Sequence, residues 1–405
     1  MSWFINLSLL HRNQRYRYLY IGQFVSFFGT MMTSVTLPYQ IYHMTRSTLM
    51  VGLLSFAQLV PLIFTALLGG VLADRHHRRT LLLIAECFMA IGCLLLALNA
   101  SVTTPSIWVI FLVSASMSAL NGLHRPALDS MTQQLVEKKD FYLVSALATF
   151  KFSMSMIAGP AIAGLIISHF GIVITFLVDF STFFVSLGAL LLITAIPKPH
   201  RVRDESTWAS LMQGFYYAKS KQALLGTYFV DFIAMIFGMP MALFPAIADK
   251  HGGVKVLGML YAAPAVGALI ISLFSAWTQR VIYHGLAVAV AAMLWGVAII
   301  FFGLSTNLWV ALFFLALAGA FDAVSSIFRQ VIWNDTVLNE YRGRLSGIEM
   351  LSYLSGPKLG DTEAGMVAAA FGVTASVVSG GVLCVIGVAI CCYFLPKFMY
   401  YKVIY

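Results

Sequence analysis

The chain has 405 residues, of which 60% are hydrophobic and 10% charged, with a net charge of +9. A soluble domain of this length cannot hide so much apolar surface, so most of the chain must be solvated by lipid. The basic excess does not call for nucleic acid, because cytoplasmic loops of membrane proteins collect Lys and Arg.

A membrane helix needs about 20 apolar residues and satisfies its own backbone in hydrocarbon. The apolar runs are too continuous for the alternating pattern of barrel strands. They predict twelve spans, at 18–43, 49–73, 80–99, 107–128, 143–168, 171–195, 223–248, 256–279, 285–305, 308–330, 345–372 and 373–395. Arg12, Arg15 and Arg17 precede the first run without a short apolar region and small-residue cleavage site, so that run stays as a helix. The fold expected is an all-α membrane protein with an N-terminal six-helix bundle over 1–196 and a C-terminal one over 223–405. Between them, 197–222 is a cytoplasmic linker. In it Trp208, Leu211, Met212, Phe215 and Tyr216 recur at helical spacing, which predicts an amphipathic helix on the membrane surface.

With the N-terminus in the cytoplasm, eighteen cations fall inside, against Arg46, Lys250 and Lys255 outside. That asymmetry sets the orientation and places both termini in the cytoplasm. Arg125, Lys151, Arg329 and Lys358 lie in or at the edge of spans. The halves echo each other: His124-Arg125 ends span four and Phe328-Arg329 ends span ten. Two such halves suggest a transporter with its substrate site at the bundle interface.

Charges inside spans are costly and mark function. The acids to weigh are Glu86, Asp179, Asp231, Asp322, Glu349, Asp361 and Glu363. Asp231 and Asp179 each lie about 12 Å from one end of their spans. Neither has an obvious partner in the sequence, and at least one is expected to titrate during transport. Lys358 precedes Asp361 by one turn and forms an internal ion pair on the blander reading; Gly356-Pro357 is expected to break that helix. Asp322, Arg329 and Lys358 join Lys151 as intramembrane charge partners. Lys151 either attracts an anionic substrate or neutralises an acid such as Asp179, the second being the preferred expectation. Tyr39, Gln40, Gln58, Phe152, Phe237 and Tyr261 would suit an aromatic, amphiphilic cavity. The five cysteines, Cys87, Cys93, Cys384, Cys391 and Cys392, read as reduced packing residues.

No catalytic constellation, metal-ligand spacing or phosphate-binding Gly-x-x-x-x-Gly-Lys-Ser/Thr loop occurs. The chain is not expected to be an enzyme or to carry a metal or cofactor. Its energy must come from an ion gradient or a partner. Protons suit the buried carboxylates, giving Asp179, Asp231, Asp361 and Glu363 as coupling candidates.

Between spans two and three the chain reads Gly69-Gly70-Val71-Leu72-Ala73-Asp74-Arg75-His76-His77-Arg78-Arg79. Asp74 should cap span three and face its positive dipole. This stretch resembles the Gly-x-x-x-Asp-Arg-x-x-Arg-Arg motif of the major facilitator superfamily. Ala158-Gly159-Pro160-Ala161-Ile162-Ala163-Gly164 in span five is similar to that superfamily's antiporter motif. Trp3 to Leu10, Met44-Thr45-Arg46-Ser47-Thr48, Ala323-Val324-Ser325-Ser326 and Gly343-Arg344 resemble its siderophore exporters and the related drug:proton antiporter-3 exporters.

The resemblance implies the major facilitator fold in a bacterial inner membrane. It also implies a latch of Gly70, Asp74, Arg75, Arg78 and Arg125 that closes the cytoplasmic side. Gly159, Pro160 and Gly164 would let a neighbouring helix approach, kink the span and limit leak. His76-His77 replaces the polar-Gly or charged pair more typical of the motif. The function expected is proton-coupled export of a siderophore or similar amphiphilic small molecule by a monomer. The alternatives are a broad drug or macrolide efflux pump and a non-transporting scaffold. Intramembrane acids argue against the scaffold, which gains nothing from their desolvation.

Overall fold

The computed structural model describes residues 7–75, 77–193, 207–338 and 341–402; the side chains of 67–75, 138, 207–211, 214, 276, 279, 342–344, 346–348, 350 and 351 are not among them. The secondary structure described is helical: α1 Ser8–Arg12, α2 Gln14–Thr45, α3 Thr48–Arg75, α4 Arg78–Ser101, α5 Ile107–Leu135, α6 Phe141–Leu192, α7 Thr207–Ser220, α8 Gln222–Phe237, α9 Phe244–His251, α10 Val254–Leu273, α11 His284–Leu304, α12 Leu308–Thr336, α13 Arg342–Phe371, α14 Val373–Phe394 and α15 Pro396–Met399, with short 3-10 turns at 138–140, 241–243 and 275–280. Among the described residues, nine helices are long and apolar enough to cross a membrane. This is a multi-pass, all-α membrane protein.

Two compact units divide the chain. Unit 1 holds Met1–Met44 and Ala57–Arg203, and unit 2 holds Thr45–Phe56 and Asp204–Tyr405. The first turns of α3 therefore belong with the second half of the sequence. In unit 1, α4 packs on α5 and α6. One core cluster joins Leu19, Leu82, Ala127, Met131 and Leu190; another joins Leu9, Tyr16, Tyr20, Leu143 and Leu147. Arg12 pairs with Asp140 and ties α1 to the start of α6. In unit 2, α11 packs on α12 and α14, and α10 on α12.

The 52-residue α6 is two helices joined at Gly171, whose φ of 85° and ψ of 174° are non-helical. Gly372, with φ 93°, stands between α13 and α14 in the other half. Both fall in the extended positive-φ region that only glycine adopts readily, so a side chain at either would cost about 1–3 kcal/mol. These joints fall where the apolar runs separate spans five from six and eleven from twelve.

Several local expectations are corrected. Pro357 does not break its helix: α13 runs through it from Arg342 to Phe371. A membrane helix tolerates proline when its neighbours re-satisfy the freed backbone group. The run read as span seven is instead interrupted after Phe237, and the chain resumes as a helix at Phe244. Gly238 and Pro240 supply the interruption, and Trp295 Nε1 donates to the freed, buried carbonyl of Gly238 at 2.8 Å. A helix, α7, occupies the linker, with Phe215 and Tyr216 exposed; the side chains of Trp208 and Leu211 lie outside the described residues. Its inward face carries Ala218, and Tyr217 stacks on Tyr341 with centroids 4.3 Å apart.

Candidate coupling and substrate sites

Asp179 on α6 is fully buried. Thr33 Oγ1 of α2 donates to its Oδ2 at 2.5 Å, and Cys93 Sγ of α4 donates to the same oxygen at 3.2 Å. Thr182 Oγ1 lies 3.3 Å from Oδ1. Gly29 makes room for this arrangement, since a Cβ there would stand 2.4 Å from Asp179 Oδ1 and 2.5 Å from Thr182 Oγ1. Cys93 is thus a polar partner and more than a packing residue. Gly29→Ala should destabilise the folded protein by about 1–3 kcal/mol, the usual cost of overpacking. Gly188, with nothing within 4 Å of its built Cβ, is the control. Melting curves of the two alanine variants in detergent check this, and equal midpoints would refute it.

Lys151 does not neutralise Asp179. Its ammonium sits over the Phe27 ring, 5.8 Å from the centroid. The charged groups within its electrostatic reach are Arg125 and Asp129. Asp179 and Lys151 are 28 residues apart on the two helices of α6, which Gly171 separates, so shared membership of α6 does not bring them together. Gly159, Pro160 and Gly164 are buried on the first of those helices, and a Cβ at Gly159 would stand 2.7 Å from Met31 Cβ.

A second buried polar group surrounds Glu86 of α4. Gln23 Nε2 donates to its Oε1 at 2.5 Å and to Ser186 Oγ at 3.0 Å, while His124 Nε2 lies 3.1 Å from the same carboxylate oxygen. Four helices (α2, α4, α5 and α6) meet there.

The loop-motif residues Gly70, Asp74 and Arg75 have side chains outside the described residues, and His76 lies outside them altogether. The backbone nevertheless corrects the expected cap. Because α3 runs to Arg75, Asp74 falls in its last turn, and the N-cap position of α4 is His77, which makes no side-chain cap bond. Arg78 opens α4. Arg79 donates to the carbonyls of Leu190 and Leu191 at 2.8 and 2.9 Å, satisfying acceptors at the end of α6. Arg125 is exposed on α5.

In unit 2, Arg329 gathers the acids. It pairs with Asp231 of α8 and lies 3.4 Å from Asp322 Oδ1, two turns back on α12. Glu349 of α13 is also within electrostatic reach. Beside them, Trp333 Nε1 donates to Tyr228 Oη at 3.2 Å. Two carboxylates on one guanidinium leave a surplus negative charge, which a proton can cancel.

Asp361 of α13 accepts from Ser55 Oγ at 3.0 Å and from the Ala242 backbone N–H at 2.8 Å. Lys358 and Tyr261 are within its electrostatic reach. Glu363, half-buried, is two residues further on and so points from a different face of the helix. Ser55 belongs to unit 2, so this network is internal to that unit.

Bundles of long apolar helices around intramembrane carboxylates and an arginine fit a membrane transporter, in which such charges line a substrate or ion pathway. Solved structures with the same fold include a POT family transporter in complex with 5-aminolevulinic acid (TM-score 0.74, 13% identity, 95% of this chain and 97% of that one). Others are the nucleoside transporter NupG in its D323A form (TM-score 0.74, 13%, 93% and 98%) and a bacterial homologue of the human lysosomal transporter Spinster (TM-score 0.70, 14%, 100% of both). The model of the family described as Transmembrane secretion effector matches residues 8–400, and the chain belongs to that family of the major facilitator superfamily. It is 28% identical over 389 residues to the enterobactin exporter EntS of Escherichia coli O1:K1, covering 96% of this chain and 93% of the relative. To EntS of Citrobacter koseri it is 28% identical over 388 residues, covering 95% and 93%.

Proposed function

We propose that the protein is a proton-coupled antiporter of twelve spans, working as a monomer in a bacterial inner membrane. On this reading both termini are cytoplasmic, and the protein exports a siderophore such as enterobactin or a similar amphiphilic small molecule. The spans beyond the nine apolar helices are α2, α13 and the second crossing of the divided α6. The observation that carries proton coupling is Asp179: a fully buried carboxyl whose described partners are two hydroxyls and a thiol, with no cation. A group in that setting can cross hydrocarbon neutral with a proton and be charged without one. Asp231, Asp361 and Glu363 are the other coupling candidates, and the surplus carboxylate around Arg329 supports the first of them. Gly70, Asp74, Arg75, Arg78 and Arg125 are proposed to latch the cytoplasmic side.

The test uses inside-out proteoliposomes loaded with acidic buffer. An imposed pH difference alone should drive enterobactin inward without ATP, and a protonophore should abolish the uptake. Uptake that ignores the protonophore, or that needs sodium, would overturn proton coupling.

A further inference from the structure

Lys151, Arg125 and Asp129 of unit 1 stand outside the buried networks above, Arg125 being also one of the residues proposed for the latch. Lys151 lies about 15 Å along α6 from its first residue, and a cation at that depth is held there at a cost. Among the described residues no carboxylate is within ion-pair distance of its ammonium, and its contact is with the face of Phe27. Phe27 stacks on Phe152 with centroids 5.9 Å apart and 25° between planes, and Phe24 and Phe150 pair alongside at 6.2 Å. Arg125 and Asp129, one turn apart on α5, are exposed and lie within electrostatic reach of Lys151. Neither makes a described ion pair. His124 is also within reach of Asp129, but its ring is engaged with Glu86.

The cluster thus offers two cations, one carboxylate and stacked aromatic faces. Its net charge of one positive unit leaves room for a single anionic group. Ring faces favour offset stacking with another aromatic. A lysine ammonium supplies a point charge, and the arginine a planar fork of donors.

We propose that Lys151, Arg125 and the Phe27–Phe152 stack form a recognition site in unit 1 for aromatic compounds bearing one acidic group. The site rests on the export reading and assigns unit 1 an anionic, aromatic class of ligand alongside the amphiphilic substrates that reading names.

Two fluorescent probes of nearly the same ring system separate the contributions: 8-anilinonaphthalene-1-sulfonate, which is anionic, and N-phenyl-1-naphthylamine, which is neutral. Each is titrated into the full-length protein in phosphatidylcholine nanodiscs, with empty discs subtracted. The wild type should bind the sulfonate more tightly. Lys151→Gln should weaken the sulfonate about tenfold and leave the neutral probe within about twofold, whereas Lys151→Arg should hold the sulfonate within about threefold. Phe152→Ala, which leaves the charges in place, should weaken both probes.

A wild type without preference for the sulfonate would overturn the site. So would a Gln variant that loses both probes alike, or neither. These outcomes do not depend on coupling. If the probes behave as expected while pH-driven uptake of enterobactin fails, the transport reading falls and the binding site stands.

Discussion

Arg329→Gln should sharply reduce the amount of folded protein. The substitution leaves Asp231 without its ion pair and Asp322 without the guanidinium 3.4 Å away. Removing one partner of a largely buried pair typically costs about 3–5 kcal/mol, because the remaining charge keeps its desolvation penalty. That is comparable with the whole stability of many proteins, about 5–15 kcal/mol. The second half of the expectation makes it specific. Arg329→Gln combined with Asp231→Asn removes the stranded charge along with its partner, and the double variant should recover much of the lost yield. Arg329→Lys should recover less than the arginine supplies, since one ammonium cannot present a planar fork to two carboxylates. Monodisperse yield and melting midpoint after extraction measure all three. A single variant as stable as the wild type would show that the pair contributes nothing net. A double variant no better than the single would place the damage elsewhere.

That pairing was not legible in the sequence. Apolar periodicity shows where helices run, and it gave most of the spans, including the joints at Gly171 and Gly372. It does not show which helices touch. Asp231 and Arg329 are on different helices, and nothing local links them. The echo of His124-Arg125 and Phe328-Arg329 pointed to the right places but not to the same chemistry: in unit 1 the histidine meets Glu86, while in unit 2 the arginine meets Asp231. Asp129 was missed for a simpler reason. Span four was expected to end at residue 128, where hydropathy falls, yet α5 continues to Leu135 and carries Asp129 one turn beyond Arg125. Hydropathy marks lipid contact, and a helix that leaves the lipid keeps its backbone hydrogen bonds. Pro357 misled in the opposite direction, because a proline's effect depends on which neighbours can absorb the kink.

Asp179→Asn should bind substrate but fail to concentrate it. The amide keeps the size of the carboxyl and an oxygen that can accept from Thr33 Oγ1, now 2.5 Å from Oδ2. Binding in unit 1 should therefore survive, with stability changed by no more than the roughly 1 kcal/mol of a typical hydrogen bond. What the amide cannot do is take up a proton on one side of the membrane and release it on the other. Proteoliposomes with an imposed pH difference should show wild-type uptake rising above equilibrium and variant uptake stopping at it, while exchange between equal pools continues at a comparable rate. The split between exchange and accumulation is the signature: a merely structural lesion would lower both. Thr33→Val offers a second reading, since it removes the hydroxyl donor and leaves the carboxyl; it should alter the pH dependence of uptake without abolishing accumulation. If Asp179→Asn still pumps uphill at the normal rate, the proton must ride on another acid. Asp231 is then the next to neutralise, tested with Arg329→Gln in the same chain so that the loss of coupling is not confused with the loss of an ion pair. A variant set in which neither acid matters would move the search to Asp361, which Ser55 and Ala242 hold in a defined buried network.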